Sequence, residues 1–186
     1  MNRIVAVALA LALAALGACS TPRYNADLLQ TPIDAPYQLA SGDRLRIIVF
    51  GQDNLSNSYA VDGAGNVALP LVGALHAQGL TTTQFARVVE SHLRQGFLRD
   101  PSVSVEVEAY RPFFVLGEVT VGGQYPFVNG MTVQNAIAVA GGFTPRGAED
   151  SVDLTRMVDG QPLTASVPLT FAVRPGDTIR VRERFF

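Results

Sequence analysis

The sequence predicts an α+β protein, and three observations lead to that class. Alternating apolar and polar residues, clearest over 103–108, indicate strands with one dry and one wet face. Apolar residues spaced three and four positions apart over 85–93 indicate an amphipathic helix. Glycine-rich turns separate the strand segments at short intervals. Strands and helices therefore follow each other without the regular alternation of a parallel α/β fold.

Residues 37–110 are expected to form hairpins and one helix. A buried strand is predicted over 45–50, and the turn at 62–65 predicts a hairpin between its flanking strands. The helix should begin after Thr81, because Thr81 and Gln84 have the spacing of a capping box. Gly96 suits the left-handed conformation that commonly ends a helix.

Residues 111–186 are expected to form a second unit. Strands 113–119 and 124–128 are joined through Gly122-Gly123, which predicts a hairpin. Thr132 is placed to cap a short helix that Gly141-Gly142 would stop. Returning strands follow at 152–157, 163–167 and 178–181. Hairpin, helix and returning strands are the layout of a β-grasp module.

A short sequence motif that occurs twice suggests how the two units connect. Gly42-Asp43 and Gly176-Asp177 each precede an alternating strand, with glycine permitting the turn and aspartate bonding the following amides. The two strands could pair in one sheet. We therefore expect strand 37–51 to be shared with the second unit, which would make 52–109 an insertion.

The N-terminus predicts export and lipid anchoring. Residues 4–16 form an unbroken apolar run, too short to span a bilayer comfortably and typical of a secretory signal peptide. The run ends in Leu16-Gly17-Ala18-Cys19, which resembles a bacterial lipobox. We expect a signal peptide over 1–18, lipidation at Cys19 and an extended tether over 19–36. Ser20 favours the outer membrane, because lipoproteins retained at the inner membrane often carry Asp there.

Composition argues against several classes of function. The formal net charge is −2, so there is no basic excess to bind a phosphate backbone, and no nucleic-acid partner is expected. Only two histidines are present, His76 and His92, and no Cys/His cluster predicts a metal site. Asp43 and Asp177 could be a glycosidase pair, but their matched turns favour backbone capping. We expect neither catalysis nor a cofactor.

Five stretches of this sequence resemble the polysaccharide export family of Wza-like outer-membrane auxiliary proteins, in the family's order. They are 37–51, 61–81, 98–119, 122–147 and 174–186. The resemblance implies a polysaccharide export domain over 37–110 and a soluble-ligand-binding β-grasp (SLBB) domain over 111–186. The sequence given ends directly after the last strand, as in a short type without the C-terminal pore helix.

The resemblance also implies partners and a location. Members form homo-oligomeric rings, typically of eight subunits, that enclose a passage for capsular or exopolysaccharide and contact an inner-membrane polysaccharide copolymerase. A short member would need a separate outer-membrane channel. The expected location is the outer membrane, facing the periplasm. The alternative function is a monomeric periplasmic lipoprotein that binds saccharide or peptidoglycan, and a lipoprotein glycosidase ranks third.

Candidate contact residues come from the 111–128 hairpin. Arg111, Phe113 and Tyr125 are candidates for glycan or subunit contacts, because sugars stack on aromatic rings and arginine binds acidic groups; core packing is the alternative for the aromatic rings. The remaining candidates are structural turns that serve positive φ angles or close backbone approach. They are Gly42, Asp43, Gly122, Gly123, Gly141, Gly142, Gly176 and Asp177.

Overall fold

The computed structural model describes residue 29 and residues 36–184. The predicted signal peptide, Cys19 and most of the predicted tether lie outside the described residues. Ten strands and two helices follow each other in mixed order in the described part, so the α+β prediction is confirmed.

The first half of the described chain is built on a three-stranded antiparallel sheet. The sheet has the order β2-β1-β5, formed by β1 (Arg44–Val49), β2 (Asn57–Ala60) and β5 (Val103–Ala109). Strand β1 alternates exposed and buried residues, and its buried side chains Leu45, Ile47 and Val49 enter the core. This is the period of two that a sheet with one covered face requires.

A separate hairpin corrects the predicted pairing around the 62–65 turn. Strand β3 (Asn66–Leu69) pairs with β4 (Gly73–His76), whereas β2 pairs with β1. The turn is formed as predicted, since Asp62 Oδ1 accepts from the backbone N–H groups of Ala64 and Asn66. It connects two different sheets, because β2 pairs with the preceding strand β1 and β3 pairs with the following strand β4.

Helix α1 (Thr82–Arg94) confirms the predicted capping box. Thr81 Oγ1 accepts from Gln84 N–H, and Thr81 N–H donates to Gln84 Oε1. These bonds satisfy two backbone donors that the first turn leaves unpaired. Gly96, at φ +108°, follows the C-terminal end of the helix. The buried face of the helix, formed by Phe85, Val89 and Leu93, completes the first core.

The second half is a five-stranded mixed sheet with the order β7-β6-β10-β8-β9. The strands are β6 (Phe113–Gly117), β7 (Gly123–Tyr125), β8 (Ser151–Val158), β9 (Gln161–Pro168) and β10 (Thr178–Val181). The predicted β6–β7 hairpin is confirmed, and the central strand β10 runs parallel to β6 and antiparallel to β8. Helix α2 (Val133–Val139), capped by Thr132, buries Val133, Ala136 and Ile137 against one face.

The prediction of a strand shared between the halves is wrong. Strand β1 pairs only with β2 and β5, and β10 pairs only with β6 and β8, within the described residues. Both sides of β1 are occupied by partners from its own half, so no edge is left for β10. Residues 52–109 are therefore not an insertion into the second sheet.

Two hydrophobic clusters result. One contains buried residues from Leu39 to Val105, and the other contains Leu29 together with residues from Phe113 to Val181. Within residues 29 and 36–184, neither helix has the length and hydrophobicity that a membrane span requires.

Candidate functional site

Asp43 and Asp177, the aspartates of the repeated Gly-Asp motif, are buried. Both accept hydrogen bonds from backbone and side-chain groups. Asp43 Oδ2 accepts from Ala40 N–H at 2.8 Å and from the Tyr37 hydroxyl at 2.7 Å. Its Oδ1 accepts from Arg111 N–H at 2.9 Å. The Arg111 guanidinium lies 3.6 Å from Oδ2 and donates to the Tyr37 hydroxyl at 2.8 Å. Burial, and after it the hydrogen bond to Asp43, raise the pKa of Tyr37.

Asp177 is held by an ion pair that is more deeply buried. Arg156 Nε donates to Oδ1 at 2.9 Å, and Arg156 Nη2 donates to Oδ2 at 2.7 Å, which is the bidentate geometry of a strong pair. Arg174 N–H donates to Oδ2 at 2.7 Å. The Arg156 side chain is 8% exposed and the Asp177 side chain 1%. The guanidinium also lies 5.5 Å from the Phe171 ring centre.

These contacts confirm the capping role of both aspartates and correct its direction. Each carboxylate accepts from the amide three residues before it, Ala40 or Arg174, and not from the amides that directly follow it. The arginine partners of the two aspartates were not predicted from the sequence. A signal for the burial of Arg156 was present, because its position on β8 has the same parity as the buried Val152 and Leu154.

Arg111 lies at the junction of the two halves. A Cβ added to Gly42 would meet Arg111 Cβ at 3.3 Å, and one added to Gly176 would meet Arg111 Nε at 2.7 Å. Both glycines have positive φ, +92° and +86°. Arg111 thus packs against both of the turns that resemble each other in sequence.

Aromatic rings extend this junction. Tyr110 packs edge-to-face with Tyr37, with ring centres 4.9 Å apart, and with Phe127 at 5.5 Å. Asn129 Nδ2 donates to the Tyr110 hydroxyl at 3.2 Å. Pairs of this geometry stabilise by about 0.5–1.5 kcal/mol beyond the area they bury. The junction is therefore a packed contact between the halves.

The three candidate contact residues have different outcomes. The prediction for Phe113 is wrong, because its side chain is fully buried and cannot reach a glycan or a second subunit. Tyr125 is half-buried, stacks on Phe113 with centres 5.9 Å apart and donates its hydroxyl to Val121 O. Arg111 keeps a 29% exposed side chain but is engaged by Asp43 and Tyr37.

The remaining glycines divide into two groups. Gly141 and Gly142 have φ of +82° and +84° after α2, as their predicted role requires. Gly122 and Gly123 do not have positive φ, and nothing lies within 4 Å of a Cβ added to Gly123. The expected φ requirement is wrong at these two positions, because the connection between β6 and β7 spans residues 118–122 and is not a tight two-residue turn.

One face of the five-stranded sheet, opposite α2, is open. We call it the open face; it carries two rows set by strand register, one from Phe114 and one from Leu116. The rows are Phe114, Thr178, Thr155 and Thr164, and Leu116, Arg180, Asp153 and Ser166. Phe114 and Leu116 are 40% and 41% exposed, so apolar surface, hydroxyl groups and an arginine share one surface.

Two open grooves adjoin these features. One, of about 1140 Å³, lies at the end of β10 and is lined by Arg180, Arg182, Glu149 and neighbouring residues. The other, of about 630 Å³, lies beside Tyr110 and is lined by Thr82, Arg87 and Glu106 among others. Hydroxyl, carboxylate and guanidinium groups beside an aromatic ring can hydrogen-bond and stack against sugars.

Groups suited to acid–base or metal chemistry are dispersed in the described part of the chain. His76 is exposed and lies 3.2 Å from Asn66 Oδ1, whereas His92 Nδ1 lies 2.9 Å from Val88 O within α1. Residues 29 and 36–184 contain no group of three or more His, Cys, Asp or Glu side chains placed to hold a metal ion.

Two family models match the chain in succession. Residues 31–108 match "Polysaccharide biosynthesis/export protein", and residues 112–165 match "SLBB domain". The two matches divide where the three-stranded sheet ends and the five-stranded sheet begins.

Curated relatives point to the same group. The chain is similar to the "Exopolysaccharide production protein ExoF" of Rhizobium meliloti (strain 1021), at 36% identity over 57% of this chain and 28% of the relative. It is also similar to the "Polysialic acid transport protein KpsD" of Escherichia coli, at 27% identity over 59% of this chain and 20% of the relative. The chain thus spans well under a third of the length of either relative.

The fold and these matches define a class of protein, an export domain followed by an SLBB domain. The chain belongs to the polysaccharide export protein family of Wza-like type. This is a family of export and transport proteins and not a family of enzymes.

Proposed function

We propose that this protein is an outer-membrane-anchored periplasmic component of capsular or exopolysaccharide export. The observation that carries the proposal is the succession of the two matched domains over residues 31–165. Relatives named for exopolysaccharide production and polysialic acid transport support it. The domain bounds we propose are 37–110 and 111–186, preceded by a signal peptide over 1–18 and a tether over 19–36.

The proposed anchor is a lipid at Cys19, with the protein facing the periplasm. The Leu16-Gly17-Ala18-Cys19 sequence supports it. Each buried methylene of an acyl chain contributes about 0.8 kcal/mol, so several chains together hold a protein firmly. We expect Cys19→Ser to abolish fatty-acid labelling and to release the protein from membranes. Undiminished labelling of the variant would refute the anchor.

The proposed conduit is an oligomeric ring, of the eight-subunit kind the family forms. Exposed apolar side chains on the 111–128 hairpin support a contact between subunits there, because exposed apolar surface is often an interaction site. They are Phe114, Leu116, Val121 and Val128. An inner-membrane copolymerase and a separate outer-membrane channel would complete the route for the glycan.

Passage through such a conduit needs contacts that are numerous and weak. A hydrogen bond exchanged with water contributes only about 0.5–1.5 kcal/mol, so a hydroxyl-bearing surface can hold a glycan without trapping it. The groove beside Tyr110 offers groups of this kind. No covalent step is part of the proposal.

A monomeric periplasmic lipoprotein that binds saccharide or peptidoglycan remains the alternative. The groove of about 630 Å³ beside Tyr110 supports it, because hydroxyl, carboxylate and guanidinium groups line that groove next to an aromatic ring, as a saccharide-binding surface requires. Size-exclusion chromatography with light scattering on the acylated protein distinguishes the two proposals. The ring predicts a mass of several subunits, whereas a single-subunit mass would support the alternative.

The direct test is secreted polysaccharide from a strain that lacks the gene. We expect secretion to fall on deletion and to return when the wild-type gene is restored. Secretion unchanged by deletion, in a strain with no second copy, would refute the export proposal.

A further inference from the structure

Leu29 packs against the half of the molecule that lies further along the chain. It is 1% exposed and belongs to the hydrophobic cluster that contains Phe113, Val133 and Ile179. Tyr37 and Leu39, which come shortly after it, belong instead to the cluster of the first half. The chain therefore contacts the SLBB domain before it enters the export domain.

Arg156 forms the polar part of this contact. Its Nη1 donates to the backbone carbonyl of Leu29, 127 positions away in the chain. The other donors are used by Asp177, through Nε and Nη2, and by the Ala172 carbonyl, to which Nη2 also donates at 3.0 Å. Bidentate pairing with Asp177 uses only Nε and Nη2 of the guanidinium group. The Nη1 bond to Leu29 is additional to that pairing.

We propose that Arg156 and the apolar pocket around Leu29 form a clamp that fastens the segment following the lipid anchor to the SLBB domain. The clamp makes the SLBB domain the half held at the membrane, with the export domain directed away. This inference rests on the proposed anchor at Cys19.

Chain length sets the reach that the clamp allows. Leu29 follows Cys19 by ten residues, which span at most about 35 Å when fully extended. Without the clamp, the first held residue would be near Pro36, seventeen residues from Cys19, with a reach of about 60 Å. The clamp therefore restricts both the distance of the domains from the membrane and their orientation.

Hydrogen exchange on the full acylated chain in detergent tests the clamp. Leu29→Asn places a polar group in the apolar pocket and leaves the Arg156–Asp177 pair in place; Leu29→Ala is a milder variant. Leu71→Asn is the matched control, because Leu71 is 58% exposed. We expect Leu29→Asn to speed exchange of peptides covering 24–34 by about tenfold or more, with α1 unchanged. The control should leave exchange over 24–34 unchanged; any effect at residue 71 itself should be local, because asparagine adopts the φ of +71° found there more easily than leucine.

Two results would overturn the clamp. One is wild-type exchange over 24–34 as fast as in a free peptide. The other is exchange that neither Leu29 variant alters. If Leu29→Asn also speeds hydrogen exchange in α2, the exchange rate over 24–34 in the Leu29→Ala variant becomes the deciding measurement. That variant removes apolar contacts without adding a polar group.

Energy transfer to labelled lipids tests the orientation. An acylated Cys19 has no free thiol, so a single engineered cysteine takes the dye: Met157→Cys in β8 or Ser91→Cys in α1, both at exposed positions. On vesicles with acceptor-labelled headgroups we expect about twofold greater transfer from position 157 than from position 91, and a smaller difference with Leu29→Asn. Equal transfer, or more from position 91, overturns the orientation. Failure to bind vesicles overturns the anchor itself, while exchange still decides the clamp.

Discussion

The two Gly-Asp turns have nearly the same local structure and different surroundings. Both glycines have positive φ, and both aspartates accept from the amide three residues before them. Asp177 pairs bidentately with Arg156, whose side chain is 8% exposed, whereas Asp43 lies 3.6 Å from the partly exposed Arg111. The turn is set by local sequence, but its arginine partner is set by tertiary structure.

This difference assigns the turns different roles. The Asp43 turn lies at the junction, where Arg111 packs between the halves and three further donors satisfy the carboxylate. The Asp177 turn closes the core of the second half and, through Arg156, reaches Leu29. Removing the arginine should therefore have unequal effects on stability.

Arg156→Gln should have the largest effect. It removes the bidentate partner of the buried Asp177 carboxylate, and breaking a buried ion pair in this way typically costs about 3–5 kcal/mol of unfolding free energy. Arg111→Gln should cost about 1 kcal/mol, because Asp43 keeps its backbone and Tyr37 donors. Urea unfolding of both variants measures the difference. Equal losses would show that the two turns are equivalent after all.

Gly176→Val should have the next largest effect, on the order of 1–3 kcal/mol. A β-branched residue is strained at φ +86°, and its Cβ would lie 2.7 Å from Arg111 Nε unless that side chain moves. Gly123→Val is the matched control, because a Cβ there meets nothing within 4 Å. Thermal melting should separate the two variants. A melting temperature that Gly176→Val does not lower would remove the turn's proposed requirement for glycine.

Removing the helix caps of the two halves should have the smallest effect on stability. Thr81→Ala and Thr132→Ala each remove a capping box and should cost about 1 kcal/mol. Urea unfolding with probes in each half reports whether α1 and α2 depend equally on their caps. A loss beyond about 2 kcal/mol at either site would mean that the threonine does more than cap its helix.

The sequence predicted local features well. The capping box at Thr81, the cap at Thr132, the β6–β7 hairpin and the bounds of β10 are determined by neighbouring residues, so pattern and turn chemistry were sufficient. The pairing of β1 with β10 was predicted from the similarity of their sequences, and it is wrong. Similarity between two strands does not show which strand edges are already occupied by other partners.

Side-chain environments were predicted less well, for a related reason. In a strand, a shift of one position exchanges the buried and exposed faces, so Phe113 and Phe114 could not be assigned without the register. The burial of Arg156 was not predicted, because its partner Asp177 is distant in sequence. The sequence offered one sign that Arg156 points inward: along β8 it alternates in step with the buried Val152 and Leu154.

The central proposal is that export depends on surfaces and not on acid–base or metal chemistry. Secreted polysaccharide from the deletion strain carrying single variants tests it most directly, with protein level and membrane attachment checked in parallel. We expect His76→Asn and His92→Asn, and Asp43→Asn and Asp177→Asn where they fold, to export like wild type. Phe114→Glu and Leu116→Glu on the open face should reduce secretion about tenfold or more at normal protein level, because each places a charge on an apolar contact surface. A folded, membrane-attached histidine or aspartate variant that secretes nothing would contradict the proposal and point to chemistry at that residue.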